Sequence, residues 1–299
     1  MTPFADALAA ACRKTGPIGL GLDPHLDRLP APLQERLAGK RGAAYREAAA
    51  EAVVDFNRVM IDAARGRVAA VKPQFAFYEQ LGAPGFAALE ETCRMARAAG
   101  LLTIGDAKRG DISSTAAAYA RTILDPDGPM ACDSVTLNPW MGTDVLLPFL
   151  DYCQSAGRGL FVLVRTTNPG SGLLQTHQGA ARHLAAALHA LGESRGLTST
   201  DGWSPIGAVV GAQVHKEAAE LRGDMPGAWF LVPGVGAQGG AAAEALAGAR
   251  PDGLGSLVVC SRSLLYPPTP AESLQAAHDF TVRQITALAG RLDVALRNR

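Results

Sequence analysis

The chain has 299 residues, of which 48% are hydrophobic, and its 28 basic side chains balance 28 acidic ones. This length and apolar content suit one large α/β domain, and the balanced charge argues against a nucleic-acid-binding protein, which carries a basic excess. No apolar run approaches the roughly 20 residues that a membrane-spanning helix needs. Residues 1–14 lack the pattern of a signal peptide, so we expect a cytoplasmic protein that binds neither membrane nor nucleic acid.

Cysteine and histidine spacing gives no sign of a disulfide framework or a metal site. The five cysteines (Cys12, Cys93, Cys132, Cys153 and Cys260) are odd in number and lack a Cys-x-x-Cys pair, which favours reduced thiols. His183 and His189 stand six residues apart on a predicted helix, so they do not share a face as an i, i+4 pair would. The sequence therefore predicts no metal ligands.

Short apolar runs alternate with helical patterns along the chain. The predicted strands are residues 18–23, 68–73, 101–106, 134–139, 159–165, 206–210, 229–232 and 257–260. Helical patterns occupy residues 1–16, 43–64, 86–99, 144–154, 180–191 and the segment from 272 onward. This alternation predicts an α/β fold, a single (β/α)8 TIM barrel over residues 1–299 with an N-terminal helix and long loops after strands 1 and 5. A doubly wound open sheet is the alternative, because strand number is easily miscounted.

Polar side chains stand at or just beyond the C-terminal ends of these predicted strands. They are Asp23, Lys72, Asp106, Lys108, Asn138, Thr167, Gln238 and Arg262. In a TIM barrel the carboxyl ends of the strands form the catalytic face. The placement of these residues therefore predicts an enzyme active site.

The most informative stretch follows the third predicted strand and reads Asp106-Ala-Lys108-Arg-Gly-Asp111. Alternate side chains of a strand share a face, so we expect Asp106 and Lys108 to point the same way. Gly110 allows a turn that can bring Asp111 back over the same spot. Desolvating charges costs more than an isolated ion pair recovers, which favours a functional site. The alternative is an ion-pair cluster that caps the strand and begins the next helix.

Two further charges, Asp23 and Lys72, close the first and second predicted strands. Alternating signs in a confined site keep each lysine protonated and each carboxylate ionised, because each charge stabilises its neighbour. We expect the set to titrate as a coupled group. Arg109 should point away from Lys108, so we predict a structural or interface ion pair for it.

A glycine-rich segment, residues 233–240, follows the seventh strand and opens an alanine-rich helix. Glycines permit close approach of the backbone, and free amides at a helix start attract anions. The loops after strands 7 and 8 are the usual phosphate site of this fold, and Arg262 after strand 8 suits bidentate phosphate binding. The segment predicts a phosphate site, and a tight turn without a ligand is the alternative.

Together these motifs resemble the orotidine 5′-phosphate decarboxylase family, and more narrowly its longer bacterial type 2 branch. The resemblance rests on Asp-Ala-Lys-Arg-Gly-Asp-Ile at 106–112, Lys-Pro-Gln-Phe at 72–75 and Pro-Gly-Val-Gly-Ala-Gln-Gly-Gly at 233–240. It extends from about Gly19 to Tyr266. It implies that orotidine 5′-monophosphate loses CO2 to give uridine 5′-monophosphate, the last step of de novo pyrimidine synthesis, without metal or cofactor.

The resemblance also implies a role for each site residue. Lys108 matches the proton donor to C6, Asp106 matches the carboxylate beside the departing CO2, and Lys72 completes the network. Asp111 matches a residue that the family contributes from the partner subunit, so a homodimer with shared active sites is implied. The remaining matches are contacts to ribose (Asp23), to the pyrimidine (Thr167), to phosphate (Gln238 and Arg262) and, from the partner subunit, to substrate (Thr115).

Three positions depart from the family pattern. Thr167 stands where the family has a serine, and Gly211-Ala-Gln stands where a threonine is expected, so we assign that loop no role. Ser113 replaces a glycine, which we expect the chain to tolerate.

Two rival functions are less well supported by the residues. Hexulose-phosphate synthases and ketogulonate-phosphate decarboxylases share the barrel and the Asp-x-Lys-x-x-Asp motif, but they need Mg2+ and carry a carboxylate where this chain has Lys72. A lysine there would repel a divalent cation. A non-catalytic phosphate-ligand binder would not require Lys108 between two carboxylates, and the fold alone does not decide.

Overall fold

The computed structural model describes residues 2–235 and 242–299, and the predicted apolar runs become parallel strands within them. The strands are β1 (Ile18–Leu22), β2 (Ala70–Pro73), β3 (Leu102–Arg109), β4 (Ser134–Leu137), β5 (Gly159–Arg165), β6 (Ile206–Val210), β7 (Phe230–Pro233) and β8 (Ser256–Cys260). Each strand pairs with its neighbour in chain order, and β8 pairs with β1, which closes the sheet. The predicted (β/α)8 barrel is confirmed, and the open-sheet alternative is wrong.

Helices connect the strands and cover the outside of the barrel. They are α1 (Phe4–Thr15), α2 (Ala31–Glu35), α3 (Gly42–Ala64), α4 (Ala76–Glu79), α5 (Ala83–Ala98), α6 (Ser113–Leu124), α7 (Leu147–Ala156), α8 (Gly172–Gln175), α9 (Ala180–Ser194), α10 (His215–Asp224), α11 (Ala242–Ala245), α12 (Arg262–Leu265) and α13 (Leu274–Arg297). The N-terminal helix is present as predicted. The long loops after β1 and β5 are also present, and each contains a short helix, α2 or α8.

The strands are mostly apolar because both of their faces are covered. Every residue of β1, β6 and β8 is buried. In a parallel barrel one face of each strand lines the interior and the other packs against helices. This arrangement explains why the strands read as continuous apolar runs rather than as alternating patterns.

Helix α1 packs against the apolar residues of the barrel interior. Phe4 and Leu8 belong to the same buried cluster as Phe161, Leu231 and Val259. The rings of Phe4 and Phe161 meet edge to face at 6.0 Å. The interior of the barrel is thus a packed core, and the polar groups at the carboxyl ends of the strands have an apolar floor beneath them.

Two further observations concern the helices and the cysteines. Among residues 2–235 and 242–299, no helix combines the length and the apolar character that crossing a membrane requires. The five cysteines are free and buried.

Candidate active site

The carboxyl end of β3 carries Asp106 and Lys108, and both side chains line the same cavity as predicted. The backbone reaches this arrangement through an irregularity. The pairing of β3 with β4 shifts register between Gly105 and Arg109, and Lys108 has a φ of 48°. This left-handed conformation costs a residue with a β-carbon on the order of 1–2 kcal/mol. Such strain concentrates at functional sites.

Asp106 is the centre of the site because its carboxylate accepts four side-chain hydrogen bonds. Oδ2 accepts from Lys72 Nζ at 2.6 Å and from Gln74 Nε2 at 2.8 Å. Oδ1 accepts from Thr136 Oγ1 at 3.0 Å and from Lys108 Nζ. These donors come from β2, the residue after β2, β3 and β4, so the closed sheet itself assembles the site.

The charges of this network hold one another in their ionised forms. Burial alone would raise the pKa of Asp106, but the ammonium groups of Lys72 and Lys108 outweigh it and hold that pKa well below its usual range. Burial would likewise lower the pKa of Lys72, yet the carboxylates of Asp106 and Asp23 raise it overall. Lys72 Nζ lies 3.6 Å from Asp23 Oδ1. Asp106 and Lys72 are therefore both charged at neutral pH.

A cavity of about 310 Å³ opens above these residues at the carboxyl ends of the strands. Its polar lining comprises Asp23, Lys72, Gln74, Asp106, Lys108, Thr136, Thr166, Ser261, Arg262 and Ser263. Its apolar lining includes Leu163, Val209, Leu231 and Val259. Charged groups and an apolar wall thus face the same enclosed space, which strengthens electrostatic interactions inside it.

Five of the nine predicted site residues line this cavity, and three do not. The five that do are Asp23, Lys72, Asp106, Lys108 and Arg262. Gln238 lies outside the described residues. The other three, Asp111, Thr115 and Thr167, lie beside the cavity or away from it.

The expectation that Asp111 folds back over Asp106 within one chain is wrong. After Gly110 the chain continues into α6, and the Asp111 carboxylate accepts a hydrogen bond from the backbone N–H of Ile112 at 2.8 Å. Thr115 is exposed on the first turn of α6. Neither residue lines the cavity of its own chain, and a role in a partner's site stays a prediction for both.

After β5, Thr166 lines the cavity, whereas Thr167 packs against Gly211. A β-carbon at position 211 would lie 2.2 Å from Cγ2 of Thr167. This contact gives a reason for the glycine after β6, because a threonine there would collide with Thr167. The role of Thr167 near the pyrimidine stays a prediction.

Sequence reasoning missed Gln74 and Thr136 as site residues. Gln74 stands two residues after Lys72 in the Lys-Pro-Gln-Phe motif. The motif contributes to the family resemblance, but Gln74 itself was given no role. Thr136 follows Ser134 at the two-residue spacing of one strand face, and both are buried polar residues in an apolar strand. Buried hydroxyls inside a barrel strand were the available signal.

Arg109 forms the ion pair that the sequence predicts. Its guanidinium pairs with the carboxylate of Glu79 and lies over the ring of Tyr119, 5.4 Å from the centroid.

Within the described residues, no group of three or more His, Cys, Asp or Glu side chains could hold a metal ion.

A closed (β/α)8 barrel with a charged cavity at the carboxyl ends of its strands defines the class of TIM-barrel enzymes. The model of the Orotidine 5′-phosphate decarboxylase / HUMPS family matches residues 47–277, and the chain belongs to this family.

Individual relatives agree with this assignment. The chain is 41% identical over 286 residues to the orotidine 5′-phosphate decarboxylase of Rhodopirellula baltica, with 93% of each chain covered. It is 45% identical over 208 residues to the enzyme of the same name from Deinococcus radiodurans, with 69% of this chain and 75% of that one covered. The structure of Leishmania donovani OMP decarboxylase superposes with a TM-score of 0.72 at 30% identity, covering 97% of this chain and 99% of that one. The family resemblance seen in the sequence is confirmed, and the bacterial relatives fit the type 2 branch.

Proposed function

We propose that the chain is an orotidine 5′-monophosphate decarboxylase that produces uridine 5′-monophosphate without a metal ion or cofactor. The names of its relatives support the reaction. The observation that carries the proposal is the array of Lys72, Asp106 and Lys108, in which one buried carboxylate holds two ammonium groups beside a cavity of about 310 Å³.

Lys108 is the proton donor in this proposal. Decarboxylation breaks the bond between C6 and the carboxyl carbon, and the electron pair stays on C6, where it has little resonance relief. An ammonium fixed beside C6 offsets the developing charge and then gives its proton to form the C6–H bond as CO2 leaves. A carboxylate such as Asp106 beside the substrate's own carboxylate disfavours the bound ground state relative to the transition state.

The rest of the cavity suits the other parts of the nucleotide. Asp23 Oδ1 is buried and has no hydrogen-bond partner among the described residues, so it can accept a bond from a ribose hydroxyl. Arg262 begins α12 at the edge of the cavity and suits the phosphate. We keep Gln238 as a phosphate contact and Thr167 as a pyrimidine contact. Phosphate contacts far from C6 supply binding energy that is expressed in the transition state.

The Mg2+-dependent members of the same family are the rival enzymes. A divalent cation bound at Asp106 would stand beside Lys72, whose ammonium lies 2.6 Å from that carboxylate. Two ammonium groups already compensate the charge of Asp106, so a cation bound there would add repulsion. A non-catalytic binder is also disfavoured, since binding alone gives no reason for a strained backbone at Lys108.

An absorbance assay in the presence of EDTA tests the reaction. Orotidine 5′-monophosphate should lose its characteristic absorbance as product forms, at a rate that EDTA leaves unchanged and that added Mg2+ does not increase. Turnover that stops with EDTA and returns with Mg2+ would favour the rival enzymes. Tight nucleotide binding with no turnover under either condition would favour a non-catalytic binder.

We also infer that the protein is a homodimer in which Asp111 and Thr115 complete the partner's site. Both residues lie in the segment between β3 and the first turn of α6, away from the cavity of their own chain. Large apolar side chains are exposed in the segments that follow β3 and β4. The exposed fraction is 51% for Ile112 after β3, and 72% for Trp140 and 50% for Met141 after β4. Exposed apolar residues of this size are typical of protein interfaces.

Mixing two inactive variants tests whether subunits share sites. A dimer with one Lys108→Ala and one Asp111→Ala subunit would contain one intact site and one doubly defective site. Random pairing should then restore about a quarter of wild-type activity, because half of the dimers are mixed. Subunit exchange can be followed with two differently tagged proteins. If exchange is complete and activity stays absent, the sites are not shared.

A further inference from the structure

One hydroxyl group, that of Thr136, connects the two reactive residues of β3. Thr136 is buried on β4, and its Oγ1 accepts a hydrogen bond from the backbone N–H of Lys108 at 3.0 Å. The same oxygen donates its proton to Asp106 Oδ1, also at 3.0 Å. The hydroxyl therefore contacts the peptide of Lys108 and the carboxylate that holds the Lys108 ammonium.

The direction of both hydrogen bonds is fixed by chemistry. A backbone N–H can only donate, and an ionised carboxylate can only accept. The Thr136 hydroxyl has one proton and two lone pairs, so it must accept from Lys108 and donate to Asp106. Because the charges of Lys72 and Lys108 keep Asp106 ionised, the hydroxyl proton has a single favourable orientation.

The contact falls where the backbone of β3 leaves regular geometry. The register between β3 and β4 shifts between Gly105 and Arg109, and Lys108 adopts its φ of 48° inside that interval. A left-handed conformation persists at a residue with a β-carbon when surrounding contacts determine it. Thr136 supplies such a contact from the neighbouring strand.

We propose that Thr136 is a positioning residue for proton transfer, a role that rests on the proposed function. Its hydroxyl holds the Lys108 peptide in the left-handed conformation and orients the Asp106 carboxylate. Both effects direct the Lys108 ammonium into the cavity. Thr136 does not exchange protons with substrate, and it acts through Lys108 and Asp106.

Ser134 provides a matched control on the same strand. It lies two residues before Thr136, on the same face of β4, and is fully buried. Its Oγ has no hydrogen-bond partner among the described residues. Removing that hydroxyl alters a buried polar atom in β4 without touching Lys108 or Asp106.

The test compares Thr136→Val, Thr136→Ser and Ser134→Ala in steady-state kinetics with orotidine 5′-monophosphate. Valine keeps the shape but loses the hydroxyl, and we expect kcat to fall by about 10- to 100-fold, the effect of misplacing a reacting group by about 1 Å. KM and the Kd of uridine 5′-monophosphate should change little, since these contacts do not involve the bound nucleotide. Serine keeps the hydroxyl and should restore most of the kcat, and Ser134→Ala should resemble wild type.

Hydrogen exchange of the Lys108 backbone amide gives a second measurement that does not depend on turnover. It should be faster in Thr136→Val than in wild type or Ser134→Ala, because the amide has lost its acceptor. A Thr136→Val protein with wild-type kcat, or a Thr136→Ser protein as slow as the valine variant, would overturn the positioning role. If wild type itself shows no turnover, the proposed function fails, and an unchanged Lys108 amide in Thr136→Val would then reject the positioning contact separately.

Discussion

Two carboxylates at opposite ends of the barrel accept several hydrogen bonds each, but from donors of different kinds. Asp133 precedes β4 at the amino end, where its Oδ2 accepts from the backbone N–H of Thr103 at 2.8 Å and from the Thr103 hydroxyl at 2.9 Å. Its Oδ1 accepts from Arg158 Nη1 at 3.0 Å. Asp106 at the carboxyl end accepts instead from four side chains, two of which are ammonium groups.

In the proposed function, this difference separates a structural carboxylate from one that serves the reaction. Asp133 is matched with one cation and joins β3 to the loop before β4, while Arg158 also donates to the Leu124 carbonyl. Asp133, Thr103 and Arg158 do not line the charged cavity at the carboxyl end. Asp106 holds two cations above an apolar floor, an arrangement that folding alone does not favour because desolvation is costly. Its value lies in the Lys108 ammonium that it presents to the cavity.

Removing the cationic partner of each carboxylate, Lys108 for Asp106 and Arg158 for Asp133, should separate an effect on activity from an effect on stability most clearly. We expect Lys108→Ala to lower kcat by at least about 10³-fold, because it removes the proposed proton donor and, with it, the positive charge proposed to lie beside C6. Nucleotide binding should stay measurable. Arg158→Ala should leave kcat near wild type but destabilise the protein by about 1.5–3 kcal/mol, since it breaks a hydrogen bond to a charged group.

Steady-state kinetics, a nucleotide Kd and urea unfolding of both variants measure this contrast. The comparison fails if Lys108→Ala loses stability while keeping activity, or if Arg158→Ala loses turnover while staying folded.

Lowering the pH should reduce the contribution that Asp106, at the carboxyl end of the barrel, makes to the stability of the protein. Burial raises the pKa of Asp106, but Lys72 and Lys108 lower it further, so in the folded state it lies well below the usual 3.8. A depressed pKa contributes stability that is present above the unfolded value and is lost as pH falls through the folded one. Asp106→Asn should therefore be about 3–5 kcal/mol less stable than wild type at neutral pH. The gap should narrow below about pH 4.

Asp55 supplies the control, because its pKa is also lowered although it lies at the surface. Its partial burial raises that pKa, and its hydrogen bonds to Arg36 and Arg58 lower it overall. Asp55→Asn should cost about 0–1 kcal/mol, and salt should screen that cost. The deficit of Asp106→Asn should persist in high salt. Unfolding curves at neutral and acidic pH, each with and without salt, measure both gaps, and a gap for Asp106→Asn that stays constant down to about pH 3 would contradict the linkage.

The barrel could be predicted from the sequence because each of its strands is buried on both faces and therefore stands out as an apolar run. Asp23, Lys72, Asp106 and Lys108 could be predicted because they follow such runs. The end of β3 could not be predicted correctly from the sequence, because the strand continues to Arg109 through the left-handed Lys108. Periodicity describes regular backbone and carries no information about a register shift.

Other parts of the site depend on contacts between distant residues. Thr136 is a hydroxyl in an apolar strand, and its importance emerges only when β3 brings Asp106 and Lys108 beside it. Asp111 was expected over Asp106, but the chain enters α6 instead. Local sequence shows that Gly110 permits a turn, but it does not show the direction that the chain takes after the turn.

Substitution of Ser113 should change the free energy of unfolding least. It tests whether a left-handed backbone near the carboxyl end of the barrel can be replaced with a gain in stability. Like Lys108, Ser113 has a left-handed backbone, with a φ of 45°, a conformation that costs a serine more than a glycine. Its side chain is exposed. Ser113→Gly relieves about 1–2 kcal/mol of strain but adds about 0.4–1 kcal/mol of unfolded-state entropy, so a net stabilisation near 0.5–1 kcal/mol is expected. Ser114→Gly, at the next position of α6, should instead destabilise the helix by about 0.5–1 kcal/mol. Urea unfolding of both variants measures the difference, and equal losses at the two positions would mean that the Ser113 backbone is not strained.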